Sequence, residues 1–376
     1  MSRPRKRGGS SCVVITILPD YFMVETLIEL SSVMDLTGTW PFLNPPCARQ
    51  GEKPSLPGCD RARTVIFHSF TTRTGEQALV ALAQLAPKAQ FAKIHIEISN
   101  ICNLQCSFCP AVERKKGTMS VEDFEMILSQ VGPMAEQVCL HLMGEPLLHP
   151  QIGKLIDICE EKGVRLFLVS NAVLLKERSM QMLLRPAFRQ LNFSLHSFKD
   201  NFGDIDPTPY LNKVFTLTER AFAERPDLYI NYRLWNLDDP RGSSFGNMRM
   251  LKAIEERFGV SIEGSIDVRK KKSFKISNRL YLHFDTEFVW PSMDLPEQGT
   301  RGRCYGLSSH FGILVDGTVV PCCLDKEGVI TLGNIKEQPI EEILNSPRAQ
   351  AMLKGFKNGK LVESLCQRCQ YIDRFR

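Results

Sequence analysis

Short stretches in which apolar and polar residues alternate recur along the chain from Phe91 onward, and segments with helical spacing separate them. Such alternation predicts strands. The predicted strands are residues 91–99, 138–142, 164–169, 191–195, 228–235 and 260–268. Between them, apolar residues recur every three or four positions, as in residues 121–131, which is the spacing of an amphipathic helix. Ser120 and Asp123 predict the start of that helix, because they resemble a capping box. Strands that alternate with helices in this way predict a parallel sheet covered by helices.

This pattern divides the chain into regions with different expected structures. Residues 1–88 show no sustained period, so we expect an irregular N-terminal extension. Residues 89–270 contain six strand–helix units, which predict an α/β fold in the form of a partial (β/α)6 barrel. Residues 271–300 are predicted to be a linker, and residues 301–376 a small α+β domain of short strands and turns. In barrels of this type the chemistry takes place at the carboxyl ends of the strands.

The composition is that of a globular protein with a large and a smaller domain, since 43% of the 376 residues are apolar and 24% are charged. The net charge of +5 is largely accounted for by two basic runs, residues 1–7 and 269–272. Such runs are usually solvated, so nucleic-acid binding is not expected. The apolar run at residues 12–18 ends at Pro19 and is too short for a membrane span, so no membrane association is expected.

Thirteen cysteines are many for a chain of this size, and their spacing is clustered. Clustered cysteines favour metal ligation in a reducing compartment over a framework of disulfides. We therefore expect a cytoplasmic protein whose metal centres are sensitive to oxygen.

Three cysteines, Cys102, Cys106 and Cys109, directly follow the first predicted strand. Three thiolates can bind three irons of a [4Fe-4S] cluster and leave the fourth iron without a protein ligand. A cluster used only for electron transfer normally has four cysteines, so an open iron indicates a cluster that binds another molecule. The alternative is a zinc knuckle or a set of buried thiols. Structural zinc sites need four nitrogen or sulfur ligands, and no fourth Cys or His follows nearby.

The spacing C-x3-C-x2-C, with Phe108 before the last cysteine, resembles the signature of radical S-adenosylmethionine (SAM) enzymes. The resemblance implies that the [4Fe-4S] cluster on these cysteines binds SAM, with Phe108 close to it. It also implies that a one-electron donor such as flavodoxin or ferredoxin reduces the cluster. SAM is then cleaved to methionine and a 5′-deoxyadenosyl radical, which abstracts a hydrogen atom from the substrate.

Further residues match elements that hold SAM in this family. The second predicted strand leads into Gly144-Glu145, which resembles the family's Gly-Gly-Glu element, whose backbone receives the SAM amino group; Met143 stands where the first glycine usually is. The resemblance also implies SAM contacts at the ends of the next three strands. These contacts are Ser170, Asn171, the hydroxyl of Ser194 near the ribose, and Arg233. A guanidinium matches a carboxylate, so Arg233 can pair with that of SAM. Each of these has an alternative as a turn former or surface residue.

His196 follows the fourth predicted strand and has two possible roles. It can act as a general base at the mouth of the barrel, or it can form a hydrogen bond at the strand end. Tyr281, His283, Trp290 and Arg233 are candidates for the wall of a substrate cavity, and core packing is the alternative for the aromatic residues.

The C-terminal region contains a second cysteine set, Cys304, Cys322, Cys366 and Cys369. Asp316-Gly317 predicts a hairpin turn that brings the first two together. Four thiolates suit a fully ligated [4Fe-4S] cluster, and a zinc ribbon is the alternative. The arrangement resembles the Twitch form of the SPASM domain, which holds one auxiliary cluster. Cys323 is the alternative to Cys322, which fits the family position better.

The resemblance thus implies a radical SAM enzyme with an auxiliary [4Fe-4S] cluster that accepts an electron from the substrate radical, which favours a net oxidation. Twitch relatives oxidise small alcohols, and SPASM relatives modify peptides or proteins. No peptide-recognition winged helix is evident in residues 1–88, which favours a small-molecule substrate. The alternatives are a peptide- or protein-modifying maturase and, in a different class, a non-catalytic iron–sulfur or zinc-binding protein.

Overall fold

The structure is a computed structural model with two compact units, residues 1–87 and 88–376. In the first unit it describes the backbones of three strands. In the second unit it describes residues 89–237, 247–262, 268, 272–287 and 289–375. Among these residues, no helix combines the length and the apolar character that crossing a bilayer requires.

The strands of the first unit form an antiparallel sheet in the order β2–β1–β3. They are β1 (Ser11–Leu18), β2 (Tyr21–Glu25) and β3 (Arg63–Phe70). The sequence analysis predicted no strands here, because it looked for a sustained period. Short runs rich in β-branched residues, such as β1, favour strands without one. The rest of the predicted extension lies outside the described residues.

The second unit contains a ten-stranded sheet in the order β13–β12–β11–β4–β5–β6–β7–β8–β10–β9. Strands β4 to β8 and β10 are parallel neighbours, as a partial (β/α)6 barrel requires. The strands are β4 (Phe91–Ile96), β5 (Ala135–Cys139), β6 (Leu166–Ser170), β7 (Phe188–Ser194), β8 (Tyr229–Leu237), β9 (Ser273–Ser277), β10 (Leu280–Thr286), β11 (His310–Ile313), β12 (Thr318–Val320) and β13 (Gly333–Asn334).

Helices follow the barrel strands and cover the C-terminal region. The first of them begins at Ser120, whose hydroxyl accepts from the backbone N–H of Asp123 at 3.0 Å, as the sequence predicted. The helices are α1 (Val121–Val131), α2 (Ile152–Glu161), α3 (Glu177–Leu183), α4 (His196–Phe202), α5 (Thr208–Glu224), α6 (Met248–Phe258), α7 (Ile340–Leu344), α8 (Pro347–Lys357) and α9 (Ser364–Gln367). Helix α4 was not predicted.

The two faces of the barrel strands differ in polarity. The outward residues are apolar and fully buried in the core, among them Ile94, Val138 and Leu282. The alternate positions face the interior and include Lys93 and Arg233, which line a cavity. A closed barrel is normally filled by packed apolar side chains. This interior instead contains a cavity whose wall combines charged and apolar side chains, such as Lys93, Phe167 and Arg233, and the fully buried apolar core lies between the sheet and the helices.

The prediction of the sixth strand was wrong. Residues 260–262 and 268 are not in a strand, and residues 263–267 lie outside the described part of the chain. The strand that pairs with β8 is β10, inside the segment predicted to be a linker, and Leu282 lies opposite Tyr232. Both segments alternate, so the pattern alone does not distinguish them. The β9–β10 hairpin, with Asn278 at φ +42°, brings the later segment to the sheet.

The C-terminal region continues the barrel sheet. Strand β11 pairs in parallel with β4, with His310 opposite Lys93. The turn between β11 and β12 lies at Asp316-Gly317, with Gly317 at φ +93°, which confirms the predicted hairpin. The region with the second cysteine set is therefore fixed to the first strand of the barrel.

A chain that begins at Lys88 is expected to fold and to bind as much iron as the full chain. The reason is that the described core starts at Phe91 and ends at Ile372. Circular dichroism and iron content after anaerobic reconstitution measure both properties. Insolubility of the shortened chain, or loss of iron, would show that residues 1–87 contribute to the core.

Candidate metal centres and active site

All fifteen residues predicted to bind metal or SAM or to act in catalysis line one cavity of about 690 Å³. We call it the central cavity. Its predicted wall residues are Cys102, Cys106, Phe108, Cys109, Gly144, Glu145, Ser170, Asn171, Ser194, His196, Arg233, Cys304, Cys322, Cys366 and Cys369. Trp290 also lines it, whereas Tyr281 and His283 do not. The roles of these residues stay predictions, but residues more than 260 positions apart in sequence share one wall.

Helix α4 holds the loop that carries the first cysteine set. Asn201 donates from Nδ2 to Sγ of Cys106 at 3.1 Å and accepts from the backbone N–H of Gln105 at 2.8 Å. Asp200 accepts from the backbone N–H and the hydroxyl of Ser107, both at 2.6 Å. Sequence reasoning missed both residues, because these contacts span more than 90 positions. The only signal was a polar Asp-Asn pair shortly after the fourth strand.

A buried ion pair fixes the other end of this loop. The carboxylate of Glu97, which is 0% exposed, accepts from Nη2 of Arg114 at 2.9 and 3.0 Å. It also accepts from the backbone N–H of Val315 at 3.0 Å, and Nε of Arg114 donates to the carbonyl of Lys326 at 2.6 Å. One carboxylate therefore joins the first barrel strand, the cysteine loop and the C-terminal region.

Two charged residues of the C-terminal region add to this junction. The carboxylate of Glu327 accepts from the backbone N–H groups of Glu113 and Arg114 at 3.1 and 3.2 Å. Nζ of Lys326 donates to the carbonyl of Ala111 at 2.8 Å. Both contacts involve the segment just after Cys109, so the C-terminal region directly orders the cysteine loop.

Gly144 lies where the chain returns to this loop. It adopts φ +76°, and a Cβ atom here would lie 2.5 Å from the carbonyl oxygen of Ser99 and 2.8 Å from that of Ile101. The backbone N–H of Glu145 donates to the same Ile101 carbonyl at 2.8 Å. The close approach thus needs glycine at position 144, while Met143 is accommodated with its side chain buried.

The carboxylate of Glu145 is used within the protein. It accepts from the Ser170 hydroxyl at 2.9 Å and from the backbone N–H groups of Asn171 and Leu147 at 2.8 and 3.1 Å. Burial raises the pKa of Glu145 to about 7, although these hydrogen bonds act in the opposite direction. Nδ2 of Asn171 donates in turn to Oδ1 of Asn103 at 3.0 Å. The network positions the strand ends against the cysteine loop and leaves the backbone to face the cavity.

His196 stacks near Phe108, with ring centroids 4.7 Å apart. Its Nδ1 lies 3.0 Å from the carbonyl of Arg233, so this nitrogen carries the proton and donates. Burial lowers the pKa of His196 to about 4, which keeps the imidazole neutral near pH 7. The predicted hydrogen bond at the strand end is therefore present. The other ring nitrogen, Nε2, carries no proton and can accept one if His196 acts as the predicted general base.

Arg233 extends into the barrel interior. Its guanidinium lies 4.3 Å from the ring centroid of Trp235. Nε of Arg233 donates to the side-chain amide oxygen of Asn192 at 2.8 Å. This oxygen is assigned to the side that faces the guanidinium, because the opposite orientation would place the amide NH2 group of Asn192 against the N–H donors of Arg233. Burial lowers the pKa of Arg233 to about 10. Cys139 and Cys323 raise this pKa and so oppose the effect of burial, whereas no member of the first cysteine set contributes. Its predicted pairing with SAM stays a prediction.

The second cysteine set is brought together by the hairpin and by α9. Burial raises the pKa of the Cys322 thiol well above its usual range, and Cys323, Cys304 and Cys366 add to that effect. Cys323 lies near the charges of Lys93 and Arg233, and among the set only Cys304 acts on it. Cys322 interacts with both Cys304 and Cys366, which favours it as the ligand, and the assignment stays a prediction.

The donor sets suit iron–sulfur clusters. All seven predicted ligands are free thiols, and thiolates are the ligands of such clusters. Within the described ranges, no three Cys, His, Asp or Glu side chains are arranged around a single metal ion. When bound, a [4Fe-4S] cluster on Cys102, Cys106 and Cys109 would have one iron available to SAM, whereas a cluster on the second set would have none.

Two family models match the chain. The radical SAM superfamily model matches residues 96–235, and the model of SPASM, an iron–sulfur cluster-binding domain, matches residues 304–370. Together they cover more than half of the 376 residues. This chain belongs to the radical SAM superfamily and carries a SPASM domain. Its cofactors are therefore [4Fe-4S] clusters and SAM, as predicted, while the ligands of each cluster and the Twitch form stay predictions.

Two curated relatives of this radical SAM enzyme illustrate the range of the family. S-adenosyl-L-methionine-dependent 2-deoxy-scyllo-inosamine dehydrogenase from Niallia circulans is 22% identical over 292 residues, which are 75% of this chain and 94% of that protein. The antilisterial bacteriocin subtilosin biosynthesis protein AlbA from Bacillus subtilis strain 168 is 22% identical over 271 residues, 67% of this chain and 59% of that protein.

Among solved structures, Streptococcus suis SuiB bound to S-adenosylmethionine aligns with a TM-score of 0.50 at 17% identity. The alignment covers 82% of this chain and 80% of that chain. At this level of identity the likeness shows the fold alone, which is the α/β fold with a central sheet predicted from the sequence.

Replacing Glu97 with Gln is expected to lower the free energy of unfolding by about 3 kcal/mol, because it removes the closer carboxylate of the largely buried Arg114 and leaves only that of Glu327 at 4.0 Å. Urea unfolding of the anaerobic, iron-loaded protein measures this. The matched control is Glu219→Gln, which removes a carboxylate from an ion pair with Arg257 in which both side chains are 44% exposed. That change should cost less than about 1 kcal/mol. Equal effects of the two substitutions would contradict the role of Glu97.

Cys322→Ala is expected to lose about four irons relative to the unsubstituted protein, and Cys323→Ala none, since a [4Fe-4S] cluster needs all its thiolates. Iron and zinc content after anaerobic purification measure this, and the neighbouring cysteine is the control. Iron loss in Cys323→Ala alone would exchange the two assignments. Zinc instead of iron in the unsubstituted protein would favour the zinc ribbon.

Proposed function

We propose that this radical SAM enzyme catalyses a net two-electron oxidation of its substrate, with the auxiliary cluster as electron acceptor. The observation that carries the proposal is the central cavity, whose wall contains both cysteine sets. A substrate in that cavity lies between the site where a radical forms and a second iron–sulfur centre. An isomerase would need no such second centre beside its substrate.

The proposed reaction removes two hydrogens from the substrate. When bound, the first cluster and SAM would supply the radical that removes one hydrogen atom from the substrate as 5′-deoxyadenosine, and the auxiliary cluster would accept the electron left on the substrate. The remaining proton must then pass to a base at the cavity wall. Neutral His196 at the cavity wall is the candidate for accepting the proton through Nε2. With a pKa of about 4 it is a weak base, so it would suit the acidic proton of a substrate radical.

The protein's own contribution is to position the reactants. The Glu145 network and Gly144 shape the backbone edge that we propose receives SAM. The contacts from α4 and from Glu97 hold the cysteine loop at both ends. A cavity closed by both regions also limits access of water and competing hydrogen donors to the radical.

Similarity to the Niallia circulans dehydrogenase supports an oxidation of a small molecule, since the match covers nearly all of that protein. A second candidate is modification of a peptide, supported by the similarity to AlbA. It also finds support in Tyr305, a cavity-wall residue that is 58% exposed and could contact a longer substrate. A one-electron donor such as flavodoxin or ferredoxin and a cytoplasmic location are parts of the proposal.

The test uses the anaerobically reconstituted protein, a one-electron reductant, and a set of polyols, hydroxy acids, sugar phosphates and short peptides. The unsubstituted protein should form 5′-deoxyadenosine and a product lighter by two hydrogens. The double variant Cys366→Ala/Cys369→Ala should still form 5′-deoxyadenosine but no oxidised product, because only the electron acceptor is missing. Mass spectrometry measures both compounds.

The matched control is the triple variant Cys102→Ala/Cys106→Ala/Cys109→Ala, which should form no 5′-deoxyadenosine and keep about four irons. Formation of 5′-deoxyadenosine by this variant would overturn the first site. Full product formation by the Cys366→Ala/Cys369→Ala variant would overturn the role of the auxiliary cluster. Absence of 5′-deoxyadenosine from the unsubstituted protein would favour the non-catalytic alternative.

A further inference from the structure

We propose that the substrate carries an oxyanion, a carboxylate or a phosphate, which binds between Lys93 and Arg233 in the barrel interior. The inference rests on the proposed function in one respect, namely that the central cavity holds the substrate. It adds the chemical class of the substrate and two residues that select it.

The two cations lie near the same aromatic ring although they come from distant strands. Nζ of Lys93 on β4 is 4.6 Å from the ring centroid of Phe167, and the guanidinium carbon of Arg233 on β8 is 6.0 Å from the same centroid. Both act electrostatically on the same four buried groups, which are His95, His141, Cys139 and Cys323. Both side chains are partly open to the central cavity.

In the part of the chain that the structure describes, neither cation has a carboxylate partner. Among the ion pairs of the described residues, none involves Lys93 or Arg233. Of the acidic residues on the cavity wall, Glu145 is already held by Ser170 and Asn171, and Glu287 is the other. Charges inside a protein are normally paired. Two cations without a carboxylate partner among the described residues therefore form a site whose charge an anion would neutralise.

The neighbouring groups do not oppose an anion. Burial lowers the pKa of His95 to about 3 and that of His141 well below its usual range, so both rings are neutral hydrogen-bonding groups. Nδ1 of His141 is buried and has no hydrogen-bond partner among the described residues. A substrate with an ammonium group in this position would meet two like charges in a site of low polarity, which is unfavourable. The barrel interior is therefore expected to favour an anionic substrate over a cationic one.

The choice of Arg233 for this role departs from its predicted pairing with the SAM carboxylate. Arg233 lies four residues before the end of β8, whereas the Glu145 network and Phe108 lie beyond the ends of their strands. Its electrostatic neighbours are Cys139, Cys323 and Tyr371, and none belongs to the first cysteine set. Its guanidinium is also fixed by Trp235 and Asn192, which leaves it oriented before any ligand binds.

The experiment measures binding of inorganic phosphate and of acetate to the reconstituted protein by calorimetry, with SAM at saturation. Glycerol and ethylammonium are the neutral and cationic probes. We expect each oxyanion to bind once per chain, in competition with the other, and the other two probes not to bind. Lys93→Met and Arg233→Met should each weaken oxyanion binding about tenfold or more, as expected for a hydrogen-bonded charge. Arg233→Lys should weaken it less, because it keeps the charge.

The matched control is Lys252→Met, which removes a cation that is 75% exposed on α6 and should leave binding unchanged. Iron content and SAM affinity are measured for every variant, and a Met variant that loses iron is replaced by Arg233→Lys or Lys93→Arg. Absence of oxyanion binding, or equal binding by all variants, would overturn the inference. Loss of SAM affinity in Arg233→Met without a change in oxyanion binding would also overturn it.

Failure of this inference and failure of the proposed function are distinguishable. Formation of 5′-deoxyadenosine and an oxidised product by a protein that binds no oxyanion would refute the inference and leave the oxidation standing. Oxyanion binding at this site, lost in the two Met variants, supports the inference even if the auxiliary cluster proves dispensable for product formation.

Discussion

The arrangement of the site depends on the buried carboxylate of Glu97. A carboxylate without solvent contact is unfavourable unless it is paired and fully hydrogen-bonded, so its partners have little freedom. Those partners are Arg114 of the cysteine loop and the backbone of Val315 in the C-terminal region. Because Glu97 directly follows β4, this group links both cysteine-bearing regions to the barrel. Together with the pairing of β11 with β4 and the contacts of α4, it holds the two regions at one cavity wall.

Most of the apolar core of the barrel lies outside its sheet, because the interior contains a cavity. Outward strand residues such as Ile94, Leu168 and Leu191 are fully buried against the helices and supply the continuous apolar core. The inward positions include buried apolar residues such as Phe167, but also the charged Lys93 and Arg233. Charges inside a protein are unfavourable unless they are paired. Their presence is therefore better explained by binding than by folding.

Local patterns in the sequence were sufficient for some features and not for others. The first five barrel strands, the Ser120 cap and the Asp316-Gly317 turn depend on neighbouring residues, so periodicity and turn chemistry found them. The sixth strand was misplaced because two alternating segments competed, and only pairing with β8 separates them. The contacts of Asn201 and Glu97 with the cysteine loop were not predictable, since each joins segments whose proximity exists only in the folded chain.

The two cysteine sets and Arg233 show that a sequence motif and a residue's position in a strand differ in what they predict. A cysteine spacing specifies a ligand set directly, because the ligands must converge on one cluster wherever the loop lies. Arg233 was predicted to pair with SAM because it is near a strand end and because a guanidinium matches a carboxylate, but strand ends in a barrel lie at different depths. In the sheet, Arg233 pairs with Ser194, the last residue of β7, yet β8 continues to Leu237. Arg233 thus lies level with the end of β7, and its guanidinium and the Lys93 ammonium reach the same Phe167 ring from different strands, where we propose that an oxyanion binds.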